Sequence, residues 1–177
     1  QMNLTALRSL LVGALFSVAL PHASATVYTT IDISSIANQR LQDYNSAYPS
    51  GTPVLLGGVP FAISPTGNNF FSVDIAANGA LGTVSRTIAL NASGVEGVYT
   101  LINTAWGEKG SGTRASLSFL FSDGASFLKR LDGNVDIRDY YQNTYTNTLN
   151  GTTSVEVFRT DNTGNAGENP YRLDRQY

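Results

Sequence analysis

The strongest constraint on the fold is a pair of alternating apolar runs joined by an Asp-Gly turn, in RASLSFLFSDGASFLKRL at residues 114–131. Leu117, Phe119 and Phe121 occupy every second position, so their side chains would share one face of an extended chain. An Asp-Gly pair, here at 123–124, is a strong local signal for a β-hairpin when it separates two such runs. The sequence therefore predicts two adjacent antiparallel strands in this region.

The same kind of pattern recurs along the chain. Short segments rich in Thr, Val, Ile, Tyr and Phe alternate with turn residues, and no long amphipathic helix separates them. This spacing predicts an all-β fold, an antiparallel β-sandwich or jelly roll. One short helix or irregular cap is expected at 34–44, and 161–170 is the most loop-like stretch. Besides the hairpin, strands are predicted within residues 26–34, 50–64, 70–76, 83–90, 96–106, 152–160 and 171–177.

Residues 1–25 have the pattern of a secretory signal peptide. Arg8 precedes an apolar run at 10–20, and Ala-Ser-Ala at 23–25 forms a cleavage signal. The apolar run is too short to cross a bilayer as a helix. We therefore expect export to the cell surface, the extracellular space or the periplasm, with a single mature domain at 26–177.

The final segment, YRLDRQY at 171–177, alternates like a strand and stops without a turn. We expect one or two closing strands to follow it in the natural chain, so that the domain as given is truncated. A native C-terminal strand is the alternative.

Removal of the leader would restrict the chemistry of the mature chain. His22 and Met2 are the only histidine and methionine, and the chain has no cysteine. A Ser-His-Asp or Cys-His nucleophile then lacks its base, and zinc, copper and haem lack imidazole and sulfur ligands. Calcium and magnesium remain, because they bind oxygen. Loss of Arg8 reduces 11 basic residues to 10 against 13 acidic ones, and the resulting net charge of −3 offers nucleic acid no basic face.

Several segments together resemble a group of exported bacterial proteins. They are IDISSIANQRL, YPSGTPVLLGGVPFAI, LINTAWGEKGSG, FSDGASFLKRLDGNVDIRDYY and YRLDRQY, distributed over residues 30–177. The group is that of PEP-CTERM sorting-domain proteins, whose domain is similar to a galactose-binding-like, NPCBM-type β-sandwich. The resemblance implies this fold and an extracellular location, and it implies no defined activity. The Pro-Glu-Pro motif, transmembrane helix and basic tail of that group do not occur in this sequence, which leaves surface anchoring open.

A group of acidic and amide residues follows the predicted hairpin. Asp132, Asn134 and Asp136 match positions 1, 3 and 5 of an EF-hand loop. Position 6 is Ile137 where Gly is required, and position 12 is Asn143 where Glu is required. These two mismatches exclude an EF-hand.

Two interpretations of the acidic group remain. The first is a calcium site within a β-sandwich, with the ligands Asp132, Asn134, Asp136 and Asp139. The second is a turn at 132–133, with Asp136 or Asp139 pairing with Arg138 or accepting backbone hydrogen bonds. The second is favoured because acidic turns are common. Another oxygen-rich group has the same two interpretations, ligands or caps, and consists of Asn38, Asp43 and Asn45.

Trp106, the only tryptophan, lies where a predicted strand enters a glycine-rich segment. An exposed aromatic ring can stack on a sugar while neighbouring amides and carboxylates bind its hydroxyls. A core tryptophan that closes one end of the sandwich is the alternative. The predicted ligand-binding residues are Asn103, Trp106, Glu108, Arg138 and Tyr140. Tyr140, Tyr141 and Tyr145 form a second aromatic group that is either core or ligand-binding.

Glycoside hydrolysis needs no histidine, but it requires two facing carboxyl groups. The glutamates are Glu96, Glu108, Glu156 and Glu168, and no pattern in the sequence brings two of them across a cleft. We therefore expect a non-catalytic carbohydrate-binding module that contacts extracellular or cell-surface polysaccharide, without a cofactor other than the hypothetical calcium ion. A structural protein of the bacterial envelope or matrix is the alternative, and a glycan-active enzyme is a third.

Overall fold

The fold is built almost entirely of antiparallel strands. A computed structural model describes residues 26–73, 84–104, 112–141, 148–160 and 170–177. These residues contain one four-residue helix, α1 (Leu41–Tyr44). The strands are β1 (Gly51–Leu56), β2 (Val59–Ile63), β3 (Thr100–Leu101), β4 (Thr113–Leu120), β5 (Ser126–Asp132), β6 (Ser154–Arg159) and β7 (Arg172–Gln176). No helix in the described ranges has the length and apolarity needed to cross a membrane. The predicted leader lies outside those ranges.

β1 and β2, within the predicted strand region 50–64, form a hairpin. Leu56 pairs with Val59, which leaves Gly57 and Gly58 as the turn. Their φ angles of 58° and 80° lie in the left-handed region, which a two-residue turn of this kind requires. A Cβ atom at Gly57 would lie 2.7 Å from the Val157 side chain, so the turn packs directly on β6.

β4 and β5 form the hairpin that the Asp-Gly pair predicts. The Phe121 N–H donates to the Ala125 carbonyl and the Gly124 N–H donates to the Phe121 carbonyl, both at 3.0 Å. Gly124 has a φ of 86°, so the loop is a three-residue turn with glycine in the left-handed position. The base of the hairpin is buried, whereas Leu120 near its tip is 79% exposed.

The remaining strands form one sheet in the order β3-β7-β6. Both neighbours of β7 are antiparallel to it, with Thr100 and Ser154 each opposite Gln176. One face of the sheet joins the apolar core, where Leu173 contributes to a buried cluster whose other members are Tyr48, Leu56 and Ile63. Arg172, Asp174 and Gln176 occupy the opposite face because side chains alternate along a strand, and all three are buried.

Several predicted strands are wrong. The segment 26–34 and the described parts of 70–76 and 83–90 contain no strand, and only Thr100–Leu101 is a strand within 96–104. In the first segment, Asp32 Oδ1 accepts the Ser34 N–H at 2.8 Å, a local turn that interrupts the extended chain. Alternation shows which side chains could share a face, but a strand also needs a partner for its backbone groups.

The Leu131→Ala variant should lose about 2–5 kcal/mol in its free energy of unfolding, because Leu131 is 0% exposed and its loss leaves a cavity. The matched Leu120→Ala variant removes an exposed leucine from the same hairpin and should lose less than about 0.5 kcal/mol. Urea unfolding followed by circular dichroism measures both values. Equal losses would contradict a hairpin that is anchored only at its base.

Candidate functional site

The acidic segment after β5 is a hydrogen-bonded turn. The Asp132 carbonyl accepts the Asp136 N–H at 2.8 Å, and Asp136 Oδ2 accepts the Asp132 N–H at 3.2 Å. Asn134 adopts the left-handed conformation, with a φ of 63°, that the turn requires. Thr113 links β4 to this turn, because its hydroxyl donates to Asp132 Oδ1 at 2.6 Å.

The other oxygen atoms of the segment also have local partners. Asp136 Oδ1 lies 3.4 Å from Lys129 Nζ and accepts the Asn150 side-chain amide at 3.3 Å. Asp139 Oδ1 accepts the Tyr141 N–H at 2.7 Å. Among the residues that the structure describes, no three acidic or histidine side chains are grouped to hold a metal ion. The geometry matches the turn-and-cap interpretation, so the calcium hypothesis gains no support from it.

The second oxygen-rich group also has partners within the protein. Asn38 exchanges two hydrogen bonds of 2.8 Å with the backbone of Ser72. Asn45 Oδ1 accepts the Ala47 N–H at 2.9 Å. Asp43 forms an exposed ion pair with Arg40 at 3.4 Å. The Asn45 contact is a local turn, whereas Asn38 links two segments that are 34 residues apart.

Arg138 lies at the centre of a buried network of charges. Its Nε and Nη2 atoms donate to the two oxygens of Asp174 at 2.8 and 2.7 Å, a bidentate ion pair. The side chains of Arg138 and Asp174 are 9% and 0% exposed. The sequence left two options for Asp136 and Asp139, pairing with Arg138 or accepting backbone hydrogen bonds. Both accept backbone hydrogen bonds, and Arg138 pairs with Asp174. Asp174 is the partner because β7 turns its polar face toward the segment that carries Arg138.

Glu156 on β6 extends the network toward solvent. It accepts a hydrogen bond from Arg138 Nη2 and two from Arg159, at 2.7 and 2.8 Å. Burial acts to raise the pKa of Glu156, but the hydrogen bonds from Arg159 and Arg138 outweigh it and lower the pKa. A general acid in glycoside hydrolysis needs the opposite shift. Glu156 is therefore suited to staying ionised beside Arg138 and Arg159, and not to donating a proton.

The pKa values of both members of the central pair are raised, but burial is outweighed for Arg138 and prevails for Asp174. For Arg138, burial alone would lower the pKa, but Asp174 and Glu156 outweigh it and the pKa is raised. For Asp174, burial outweighs the hydrogen bonds from Arg138 and Asn103, so the pKa is raised. Because burial disfavours the ionised form of Asp174, that form depends on the positive charge of the Arg138 guanidinium that faces it.

Asn103 connects the end of β3 to this network. Its side-chain amide donates to Asp174 Oδ2 at 2.6 Å, and its carbonyl oxygen accepts the Asp174 N–H at 3.0 Å. Arg172 lies beside them, 1% exposed, and its Nη1 donates to the Asp139 carbonyl at 3.3 Å. The structure thus brings together two predicted ligand-binding residues, Asn103 and Arg138, but uses their polar groups inside the protein.

Tyr140 belongs to a chain of aromatic rings that we call the tyrosine ladder. The ladder consists of Phe158, Tyr48, Tyr171, Tyr141, Tyr140, Tyr44 and Phe70. It starts in the core, where the Tyr48 hydroxyl donates to the Arg172 carbonyl at 3.2 Å. Burial raises the pKa of Tyr48 above its usual range, so this donor stays protonated. Neighbouring rings in the ladder have centroids 4.7 to 6.2 Å apart.

The outer end of the tyrosine ladder reaches the surface at Tyr44. The Tyr44 ring lies perpendicular to Tyr140 at 5.9 Å and edge-on to Phe70 at 5.7 Å. Tyr44 is 39% exposed. Burial, and then the neighbours Tyr171 and Tyr44, raise the pKa of Tyr140 to about 12, so its hydroxyl is protonated at neutral pH. The ladder therefore presents a rigid, partly solvated aromatic surface.

A separate cleft of about 250 Å³ lies between the N-terminal segment and the β1–β2 hairpin. Ile31 and Pro65 provide apolar lining, and Asp32 and Asn69 provide polar lining. Asn69 is already engaged, since its amide donates to Gln42 and to the Ser64 carbonyl at 2.8 Å. Fewer polar groups are therefore available to a ligand in this cleft than its lining residues suggest.

Other predicted residues lie outside the described ranges. They are Trp106, Glu108, Asn143, Tyr145 and Glu168. A comparison of the chain with protein-family models, curated proteins and solved structures found no match.

Sequence reasoning missed Asp174, Glu156 and Tyr44. The segment 171–177 did contain a signal, because Arg172, Asp174 and Gln176 place three polar groups on one face of a strand. Such a face needs either solvent or buried polar partners. Tyr44 carried no signal, since nothing local indicates that Phe70 and Tyr140 would meet it.

The Asp174→Asn variant should lose about 3–5 kcal/mol in its free energy of unfolding, because it leaves the buried Arg138 guanidinium without its bidentate partner. Asp43→Asn is the matched control: it breaks an exposed ion pair and should cost less than about 1 kcal/mol. Chemical denaturation at neutral pH measures both. If Asp174→Asn lost no more free energy of unfolding than Asp43→Asn, the network would not have a structural function.

The contribution of Glu156 should depend on pH. Its pKa is lowered in the folded state, so its stabilising effect is complete above the unfolded-state value of about 4.3 and is lost as the pH falls through the folded value. The stability difference between the wild type and Glu156→Gln should therefore be constant near pH 7 and shrink below about pH 4. Urea midpoints measured from pH 3 to pH 7 test this. A difference that grows on acidification would contradict the sign of the shift.

Proposed function

We propose that this chain is an exported, non-catalytic module that binds extracellular or cell-surface polysaccharide. The observation that supports the proposal is the exposed end of the tyrosine ladder. An aromatic face that is held rigid by perpendicular neighbours loses little conformational freedom when a sugar ring stacks on it. Tyr44 has such neighbours in Tyr140 and Phe70.

Polar groups beside Tyr44 suit the hydroxyls of a sugar. Arg40 and Asp43 lie within a turn of it in sequence, and the Tyr44 hydroxyl is 3.5 Å from Gln39 Oε1. Guanidinium, carboxylate and amide groups supply donors and acceptors around one apolar face, which is the usual composition of a ligand site. Asp43 is exposed and can exchange water for ligand hydroxyls, whereas Gln39 and Arg40 are half-buried. One Arg40 nitrogen also donates to the Pro65 carbonyl at 3.0 Å.

The finer architecture and the location are part of the same proposal. The all-β arrangement is compatible with a galactose-binding-like sandwich, and the signal-peptide pattern at 1–25 supports export. The resemblance to PEP-CTERM sorting-domain proteins supports an extracellular setting. Trp106 and Glu108 remain proposed members of the binding surface on sequence grounds alone.

A structural protein of the bacterial envelope or extracellular matrix is the second candidate. The observation that favours it is the exposed β4–β5 hairpin, where Phe127 and Leu128 add to the apolar surface at Leu120. Surface of this kind is commonly covered by another macromolecule. In that case the tyrosine ladder would contribute only to packing.

The Tyr44→Ala variant should bind polysaccharide about tenfold more weakly, because it removes the stacking surface. Tyr28→Ala is the matched control, since Tyr28 is 40% exposed and packs on Tyr99 away from the tyrosine ladder. Affinity electrophoresis in gels that contain one of a panel of neutral and acidic soluble polysaccharides measures the retardation.

Retardation of the wild type and of Tyr28→Ala, with loss for Tyr44→Ala, would support the proposal. If no polysaccharide slows the wild type, the structural candidate is the better one. Equal loss in both variants would show that the effect is not specific to the tyrosine ladder, and it would contradict the proposed stacking at Tyr44.

A further inference from the structure

The two outer edges of the β4–β5 hairpin differ in charge. β5 carries Lys129 and Arg130 side by side, and charged residues, especially lysine, discourage a further strand from pairing at a sheet edge. By contrast, residues 115–121 of the β4 side form the uncharged run ASLSFLF, with no proline or glycine. Such a run has the composition that favours pairing with another strand. Within the described residues, β4 pairs only with β5.

The hydrogen-bond pattern shows which backbone groups of β4 point outward. The Phe121 N–H bonds to Ala125, and Phe119 lies opposite Phe127 two positions along the ladder. Hydrogen-bonded and non-hydrogen-bonded pairs alternate in an antiparallel ladder. The N–H and C=O groups of Ser116, Ser118 and Leu120 therefore point away from β5, toward the edge that no described strand covers.

We propose that this edge pairs with the same edge of a second copy of the chain, antiparallel about a two-fold axis at Ser118. In this register Ser118 faces its own copy, and Ser116 of each chain faces Leu120 of the other. All three outward-pointing residues then form hydrogen-bonded pairs, roughly six backbone bonds in total. A two-fold interface of this kind uses one surface patch twice and closes on itself.

The side chains fit the same register. On one face of the resulting four-stranded sheet, Leu117 of each copy would lie opposite Phe119 of the other, and the stacked pair Phe119–Phe127 lies beside them. Cross-strand aliphatic and aromatic pairs stabilise a sheet. The proposal would thus bury exposed apolar surface at the hairpin tip, where Phe121 is 51% exposed.

Sedimentation velocity of the full chain over a concentration series tests the proposal. The wild type should show a reversible monomer–dimer equilibrium. Ser118→Lys places two like charges opposite each other at the two-fold axis, and the dimer dissociation constant should rise at least about tenfold. Ser126→Lys is the matched control, because Ser126 is also exposed and lies on the same face of the hairpin but on β5. Its dissociation constant should change less than about threefold.

A charge-reversal mixture makes the test specific for the two-fold axis. Ser118→Lys and Ser118→Glu should each dimerise poorly, and an equimolar mixture should form mixed dimers because lysine then faces glutamate. A wild type that remains monomeric at every concentration would overturn the proposal. The proposal would also be overturned if Ser126→Lys weakened dimerisation as much as Ser118→Lys, or if the mixture formed no dimers. Either result would place any association at another surface.

Discussion

The bidentate pair between Arg138 and Asp174 holds together parts of the chain that are far apart in sequence. Arg138 belongs to the segment after β5, Asp174 is in the central strand β7, and Asn103 and Glu156 reach them from beyond β3 and from β6. Removing two charges from water is costly unless each oxygen and N–H group finds a partner. Because the partners come from four segments, the pair is satisfied only when all four are in place.

The same segment connects this network to the tyrosine ladder. The Tyr140 N–H donates to the Thr104 carbonyl at 2.9 Å, and the Tyr140 carbonyl accepts the Arg172 N–H at 2.8 Å. The backbone of Tyr140 is thus held from both sides, two residues after Arg138. The orientation of the rings at the surface therefore depends on the charge network on the polar face of the β3-β7-β6 sheet, as a proposed binding surface requires of its supporting residues.

Local patterns predicted the features that depend on neighbours in sequence. The Asp-Gly turn and the strands around Val155 and Leu173 were correctly predicted, since turn chemistry and alternation act over a few residues. Alternation alone overestimated strand content at 26–34 and 84–90, where no described strand forms. Arg138 was identified as important, but its partner Asp174 lies 36 residues away, and spacing carries no information on such a contact.

The position of β7 in the middle of its sheet has a consequence for the order of assembly during synthesis. Thr100 and Ser154 both pair with Gln176, so neither β3 nor β6 has its hydrogen-bonded partner until residues 172–176 have been made. A ribosome that delivers the chain from its N-terminus would release β3 without its β7 partner for the time needed to add more than seventy residues. Contacts of such long range slow folding, and they would keep β3 and β6 apart from their shared partner until β7 has been synthesised.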